Sequence, residues 1–314
     1  MLRVMTLLAI SGLALNGEDT RTAIGEQHYR IYHGDGRLAT LDEVITASAA
    51  ATVTFLGESH DDPVAHYIEE QILRRVYKPD LALSLEMFET DVQYVLDEYL
   101  AGLITESHFI ASARAWKNYK SDYRPLIEFA KERKTPVIAA NAPRRYVNLV
   151  SRLGVAALQD ISTETRRFLP PLPYADASLE YAEKVHRVME GARKEHEKKA
   201  GEDASKQPPR TDPVKGLQAQ SLWDASMAFS MATYLTRNPT MRLLHVNGSF
   251  HSAQRLGIPE HLARYRPGTS MLVITIVSEK GFPEFDSDKM SGQGDFVIVT
   301  DPALPRSFVS EPPK

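Results

Sequence analysis

Short apolar runs that stop at a polar or charged residue and then enter a helix recur along this chain. That pattern limits its fold more than any other feature. Thr52 to Leu56 is followed by Gly57-Glu58-Ser59-His60 and then by Asp62-Pro63, an N-cap with proline in the first turn. Leu81 to Leu85 ends at Glu86 and leads into a helix near Asp91. Pro136 to Ala140 ends at Asn141-Ala142-Pro143-Arg144-Arg145, and Arg242 to Val246 ends at Asn247-Gly248-Ser249-Phe250-His251. Leu272 to Val277 and Phe296 to Thr300 read as closing strands, and Gly34-Asp35-Gly36 signals a hairpin near the start. Strands alternating with helices predict an α/β fold: a central, mostly parallel or mixed sheet with flanking helices.

The stretch between the third and fourth of these strands differs. Glu180 to Lys199 is strongly charged, Gly201 to Pro213 is polar with Pro208-Pro209, and a second long helix runs from about Val214 to Thr236. We read about 160–238 as a helical insertion with a mobile loop at 201–213. At the other end, Arg3 precedes an apolar run from Val4 to Leu15, broken only by Thr6 and Ser11. It matches a signal peptide over residues 1–16, which leaves 17–314 as one domain and predicts an exported, periplasmic protein. A buried N-terminal helix or strand is the alternative. No run reaches the eighteen or so apolar residues of a membrane span.

Composition removes several functions. There are 37 basic and 41 acidic residues, a net charge of −4, so no protein-wide basic field exists for nucleic acid. With no cysteine, disulfides, thiolate metal sites, a cysteine nucleophile and an N-terminal lipid anchor are all excluded. Any metal must be held by His, Glu, Asp or Tyr.

The polar strand ends point to one crevice, because ligands of open α/β sheets bind outside the carboxyl ends of the strands. Glu58, His60, Glu86 and His251 supply nitrogen and oxygen donors that suit a divalent metal ion such as zinc or manganese. The same groups suit acid–base catalysis, and Arg144 can pair with a carboxylate. Gly57-x-x-His60 and Gly248-x-x-His251 repeat one arrangement at two strand ends. Each residue taken alone equally well caps a helix or closes a turn. Trp116, Tyr119 and Tyr123 share a helical spacing, as do Gln220, Asp224 and Met227; both stripes fit either a wall for a large flat ligand or ordinary core.

Six ordered blocks carry a family resemblance: Phe55-Leu56-Gly57-Glu58-Ser59-His60, Ser84-Leu85-Glu86-Met87-Phe88, Tyr123-Arg124-Pro125, Asn141-Ala142-Pro143-Arg144, Gln220-Ser221-Leu222-Trp223-Asp224 with Ala225 to Ala228, and Asn247 to His251. They resemble ChaN-like proteins, which are haem-binding and associated with iron uptake, within the group that includes Tiki metalloproteases and erythromycin esterases. The resemblance spans about residues 28–277. It implies haem as cofactor and an outer-membrane haem uptake system as partner; for such a ligand, Arg144 and the two stripes, Trp116, Tyr119 and Tyr123 with Gln220, Asp224 and Met227, are the candidate cofactor contacts. The Gly-x-x-His pairs also resemble the metal motif of the Tiki branch, which implies the alternative of a metal-dependent hydrolase using Glu58, His60, Glu86 and His251. ChaN-like members are typically lipoproteins, and this chain departs from them in having no cysteine.

Overall fold

The computed structural model describes residues 24–200 and 212–308. The predicted signal peptide and nearly all of the predicted mobile loop lie outside the described residues.

Eight strands form one mixed sheet: β1 (Tyr29–His33), β2 (Leu38–Ala39), β3 (Val53–Glu58), β4 (Leu81–Glu89), β5 (Val137–Asn141), β6 (Arg242–Gly248), β7 (Met271–Ser278) and β8 (Phe296–Thr300). Their order across the sheet is β2-β1-β8-β7-β3-β6-β4-β5. β3 to β8 run parallel to their neighbours, and the N-terminal hairpin adds antiparallel strands at the β8 side.

Helices α1 (Leu41–Ala50), α2 (Pro63–Val76), α3 (Gln93–Leu100), α4 (Glu106–Ser112), α5 (Arg124–Arg133), α6 (Arg144–Leu153), α7 (Leu179–Ala200), α8 (Pro213–Arg237) and α9 (Ile258–Tyr265) flank it, single turns aside. The predicted cap holds: Asp62 accepts the Val64 N–H at 2.9 Å with Pro63 at the helix start.

Strand periodicity divides the core into two layers. Leu56, Leu83, Leu85, Val246 and Ile274 pack on one face with Ile68 and Ile72 of α2 and Ile127 of α5. Val53, Phe55, Ala82, Leu243 and Val273 pack on the other with Met227, Met231 and Leu235 of α8. α8 is therefore a wall of the main core. β6 was predicted far along the chain, yet it lies between β3 and β4. That placement sets three strand ends side by side.

Candidate functional site

Register explains why distant residues meet. Glu58 pairs with Gly248 across β3 and β6, while Leu85 of β4 pairs with Val246 on the other side of β6. Glu58 and His60, Glu86, and His251 thus leave adjacent strands at one end of the sheet, as ligand-binding residues of open α/β sheets do.

The two histidines approach one carboxylate. Glu86 Oε1 lies 3.9 Å from His60 Nε2 and 3.7 Å from His251 Nε2, and its Oε2 accepts the Gly248 N–H at 2.7 Å. Each imidazole is held from behind by a second acid. His60 Nδ1 donates to Glu58 Oε1 at 2.9 Å, and His251 Nδ1 donates to Asp224 Oδ1 at 2.6 Å. Such backing fixes ring orientation and leaves Nε2 facing the cleft. The acids are themselves anchored. Tyr123 donates its hydroxyl to Glu58 Oε1 at 2.7 Å, and Tyr181 donates to Asp224 Oδ2.

Both glycines of the Gly-x-x-His turns are places of close approach. A Cβ on Gly57 would stand 2.9 Å from Ser249 Cα, and one on Gly248 would stand 2.9 Å from His60 Nε2. The two turns pack directly against each other, so a side chain at Gly57 would meet backbone and one at Gly248 would displace the His60 ring.

Charge follows burial and partners. Burial alone would lower the pKa of His251, but the Glu86 and Asp224 carboxylates outweigh it and raise it to about 9. His60 is also raised: burial opposes its charge, and the hydrogen bond to Glu58 with the Glu86 charge prevails. Burial disfavours ionised Glu58, yet the charges of His66 and His60 hold it below the usual carboxylate range. The Lys184 ammonium is lowered by burial to about 8, and donates to the Phe250 and Ala253 carbonyls at 2.8 and 3.0 Å, pinning α7 to the His251 turn.

The predicted aromatic and thioether stripes break apart. Trp116 is in an irregular segment, and Tyr119–Tyr123 forms a π-helical turn, so the three rings do not share an α-helical face. Trp116 is half-buried and meets His60 edge-on, with ring centroids 4.9 Å apart. Tyr123 is buried beneath it, and Tyr119 is core, packed on Phe88 and Phe109. On α8, Gln220 and Asp224 reach His251, but Met227 one turn on is fully buried against the sheet. Tyr119 and Met227 therefore have no surface to offer a ligand. Arg144 is exposed at the start of α6, and among the described residues no hydrogen bond or ion pair joins it to the cleft.

The metal set also changes membership. Among the described residues, one triad has its donor atoms within 4.8 Å of one another: Glu58, His66 and Glu69. Glu58 turns its Oε1 to His60 and its Oε2 to His66, so it does not face the His60–Glu86–His251 meeting point. Sequence reasoning missed His66 and Glu69, whose i,i+3 spacing on α2 was the available signal, and it missed Tyr181 and Lys184 inside the charged helix. A groove of about 910 Å³ lies elsewhere, along the β5 side of the sheet beside Lys131, Lys134, Arg167, Phe229, Tyr234 and Arg237.

Fold and cleft together define an α/β protein that presents two carboxylate-backed histidines at the strand carboxyl ends. A family profile described as haem-binding uptake, Tiki superfamily, ChaN matches residues 44–262, most of the chain. The chain belongs to this family. Among solved structures, the ChaN of Campylobacter jejuni with cofacially bound haem is similar in fold, with a TM-score of 0.63 at 16% identity over 88% of this chain and 98% of that one. An erythromycin esterase EreC variant in its open conformation aligns with a TM-score of 0.45 at 13% identity, over 88% of this chain and 83% of that one. A search of curated protein sequences returns no match.

Proposed function

We propose that this chain binds haem at the strand-end cleft, with His60 as the iron-facing residue, and that it serves haem handling outside the cytoplasm. Membership of a haem-binding uptake family supports the ligand. The observation that carries the site is the exposure of His60: its side chain is 40% accessible, while those of Glu86 and His251 are 7% and 9%. A ligand iron needs a reachable donor, and His60 is the reachable one. Its Nδ1–H is committed to Glu58, which makes Nε2 a stronger donor, as a second-shell carboxylate does for a metal-bound histidine. The half-buried indole of Trp116 beside it supplies flat apolar surface. When bound, haem would contribute iron and a large apolar face, and this chain's part is to orient the imidazole. Export and delivery to an outer-membrane uptake system complete the reading, supported by the apolar N-terminal run and the family.

Haemin titration followed at the Soret band tests it. Wild type should bind, and His60→Ala should weaken binding by at least about tenfold, roughly 1.4 kcal/mol. Because the iron competes with a proton for Nε2, and His60 is raised, affinity should improve as pH rises past the ordinary histidine range. Unchanged affinity in His60→Ala, with loss in Tyr234→Phe, would move the ligand to the β5-side groove.

A second reading rests on the convergence of His60 Nε2 and His251 Nε2 on Glu86 Oε1. Those three atoms suit a divalent metal that activates water for hydrolysis. No Soret change, together with metal-dependent ester cleavage that Glu86→Gln abolishes, would favour it.

A further inference from the structure

Behind the cleft, on the α2 side of β3, lies a second cluster that the haem reading does not use. His66 and Glu69 of α2 have side chains with no accessible surface, as does that of Glu58. His66 Nδ1 stands 2.9 Å from Glu58 Oε2 and 3.3 Å from Glu69 Oε2. The Glu58 contact is short but lies outside hydrogen-bond geometry, so Glu58 Oε2 has no hydrogen-bond partner; nor has Glu69 Oε1. Glu69 Oε1 is costly in a fully enclosed site, since it gives up hydration without a replacement bond, and Glu58 Oε2 has only its ion-pair contact to His66.

The far side of the imidazole is organised differently. His66 Nε2 lies 3.3 Å from the His60 carbonyl and 3.4 Å from Asp122 Oδ2. Asp122 is set by bonds from Asn118 Nδ2 at 2.8 Å and Ser307 Oγ at 2.9 Å. With Nε2–H held by a carbonyl and a carboxylate, Nδ1 is the nitrogen that can release its proton to a metal and turn its lone pair toward Glu58 and Glu69. That is the arrangement by which proteins orient a metal-binding histidine. Among the described residues, no lysine or arginine forms a hydrogen bond or ion pair with Glu58, His66 or Glu69.

We propose that Glu58 Oε2, His66 Nδ1 and Glu69 form a buried structural site for a divalent first-row transition metal, with zinc as the natural fit. Ligands at zinc distances of about 2.0–2.2 Å in a tetrahedron lie roughly 3.3 Å apart, and His66 Nδ1 stands 2.9 Å from the Glu58 oxygen and 3.3 Å from the Glu69 oxygen. The metal would bond Glu58 Oε2 and a Glu69 oxygen and tie the end of β3 to α2. Because the same Glu58 holds His60 through its other oxygen, the metal would also steady the cleft. The site is independent of what the cleft binds.

The test is zinc content and melting temperature of protein expressed in zinc-supplemented medium and purified without chelator. Wild type should retain about one zinc per chain through gel filtration and melt at least about 4 °C above chelator-treated protein. Glu69→Gln should lose both the zinc and the chelator sensitivity, while His251→Ala keeps them. Zinc-free wild type, or Glu69→Gln that holds zinc as wild type does, overturns the proposal. Loss in His251→Ala with retention in Glu69→Gln would place the ion in the cleft instead. Should Glu69→Gln not fold, wild type loaded with cobalt(II) decides by NMR. Paramagnetic shifts at the His66 ring with none at His251 support the site, and the reverse sinks it.

Discussion

The two Gly-x-x-His turns look interchangeable as sequence, and the fold uses them in opposite ways. His60 takes its orienting carboxylate from its own turn, through Glu58, and leaves its ring 40% accessible. His251 takes its carboxylate from α8, through Asp224, and is 9% accessible. One histidine is presented and the other is built in. A repeated motif at strand carboxyl ends therefore specifies where an imidazole sits, but the neighbouring element decides whether it serves the ligand or the scaffold.

Removing each imidazole is the strongest way to break this contrast. His251→Ala strips the buried Asp224 of its nearest cation and leaves it the Tyr181 hydroxyl, a loss of about 3 kcal/mol or more. His60→Ala leaves Glu58 with Tyr123 and His66, and exposure screens the lost pair, so about 1 kcal/mol or less is expected. Urea unfolding reads both, and equal losses would erase the distinction. The pH dependence has a definite sign. His251 is raised from 6.5 to about 9, so its stabilisation is complete below about pH 6.5 and disappears as pH rises through about 9. The gap between wild type and His251→Ala should narrow over that window.

The glycines sharpen the contrast at a lower magnitude. A methyl on Gly57 meets the Ser249 backbone, which cannot yield, so Gly57→Ala should cost about 1–3 kcal/mol by overpacking. A methyl on Gly248 meets the His60 ring, which can swing aside. Gly248→Ala should thus spare the melting temperature relative to Gly57→Ala but weaken haemin binding as His60→Ala does. If Gly248→Ala is the more destabilised of the two, the His60 ring is fixed and not merely presented.

Much of this was legible in the residues. Strand ends were marked by abrupt polar residues after apolar runs, and Asp62-Pro63 marked a helix start. The order β3-β6-β4 was not legible, because pairing between strands nearly two hundred residues apart leaves no local trace. That order is what brings Glu86 between two histidines. His66 and Glu69 hide within α2, where an acidic and a basic residue read as ordinary amphipathic filling; only tertiary burial isolates them. Tyr181 and Lys184 hide for the same reason in the charged helix α7. The stripes through Tyr119 and Met227 misled because spacing assigns residues to a face without saying what that face meets.

The smallest expected effect comes from the protein's two tryptophans, and it probes the comparison without disturbing the fold. Trp116 lies edge-on to His60 at 4.9 Å, and Trp223 lies edge-on to His251 at 6.2 Å. Each histidine thus has its own indole, and the chain contains no other. A protonated imidazole next to an indole quenches its emission, so fluorescence against pH should report each ring separately. Trp223→Phe leaves Trp116 to follow His60, and Trp116→Phe leaves Trp223 to follow His251. Both substitutions keep an aromatic ring at a half-buried position, so stability should change by only about 1 kcal/mol. In Trp116→Phe, emission should rise with a midpoint near pH 9, because His251 keeps its proton until then. In Trp223→Phe, the midpoint should fall above the ordinary histidine value, and added haemin should quench the emission and remove the titration, since an iron-bound Nε2 has no proton to lose. His60→Ala in the Trp223→Phe background should flatten the curve. If haemin instead quenches Trp223 and leaves Trp116 untouched, the built-in histidine faces the ligand and the roles assigned to the two turns are reversed.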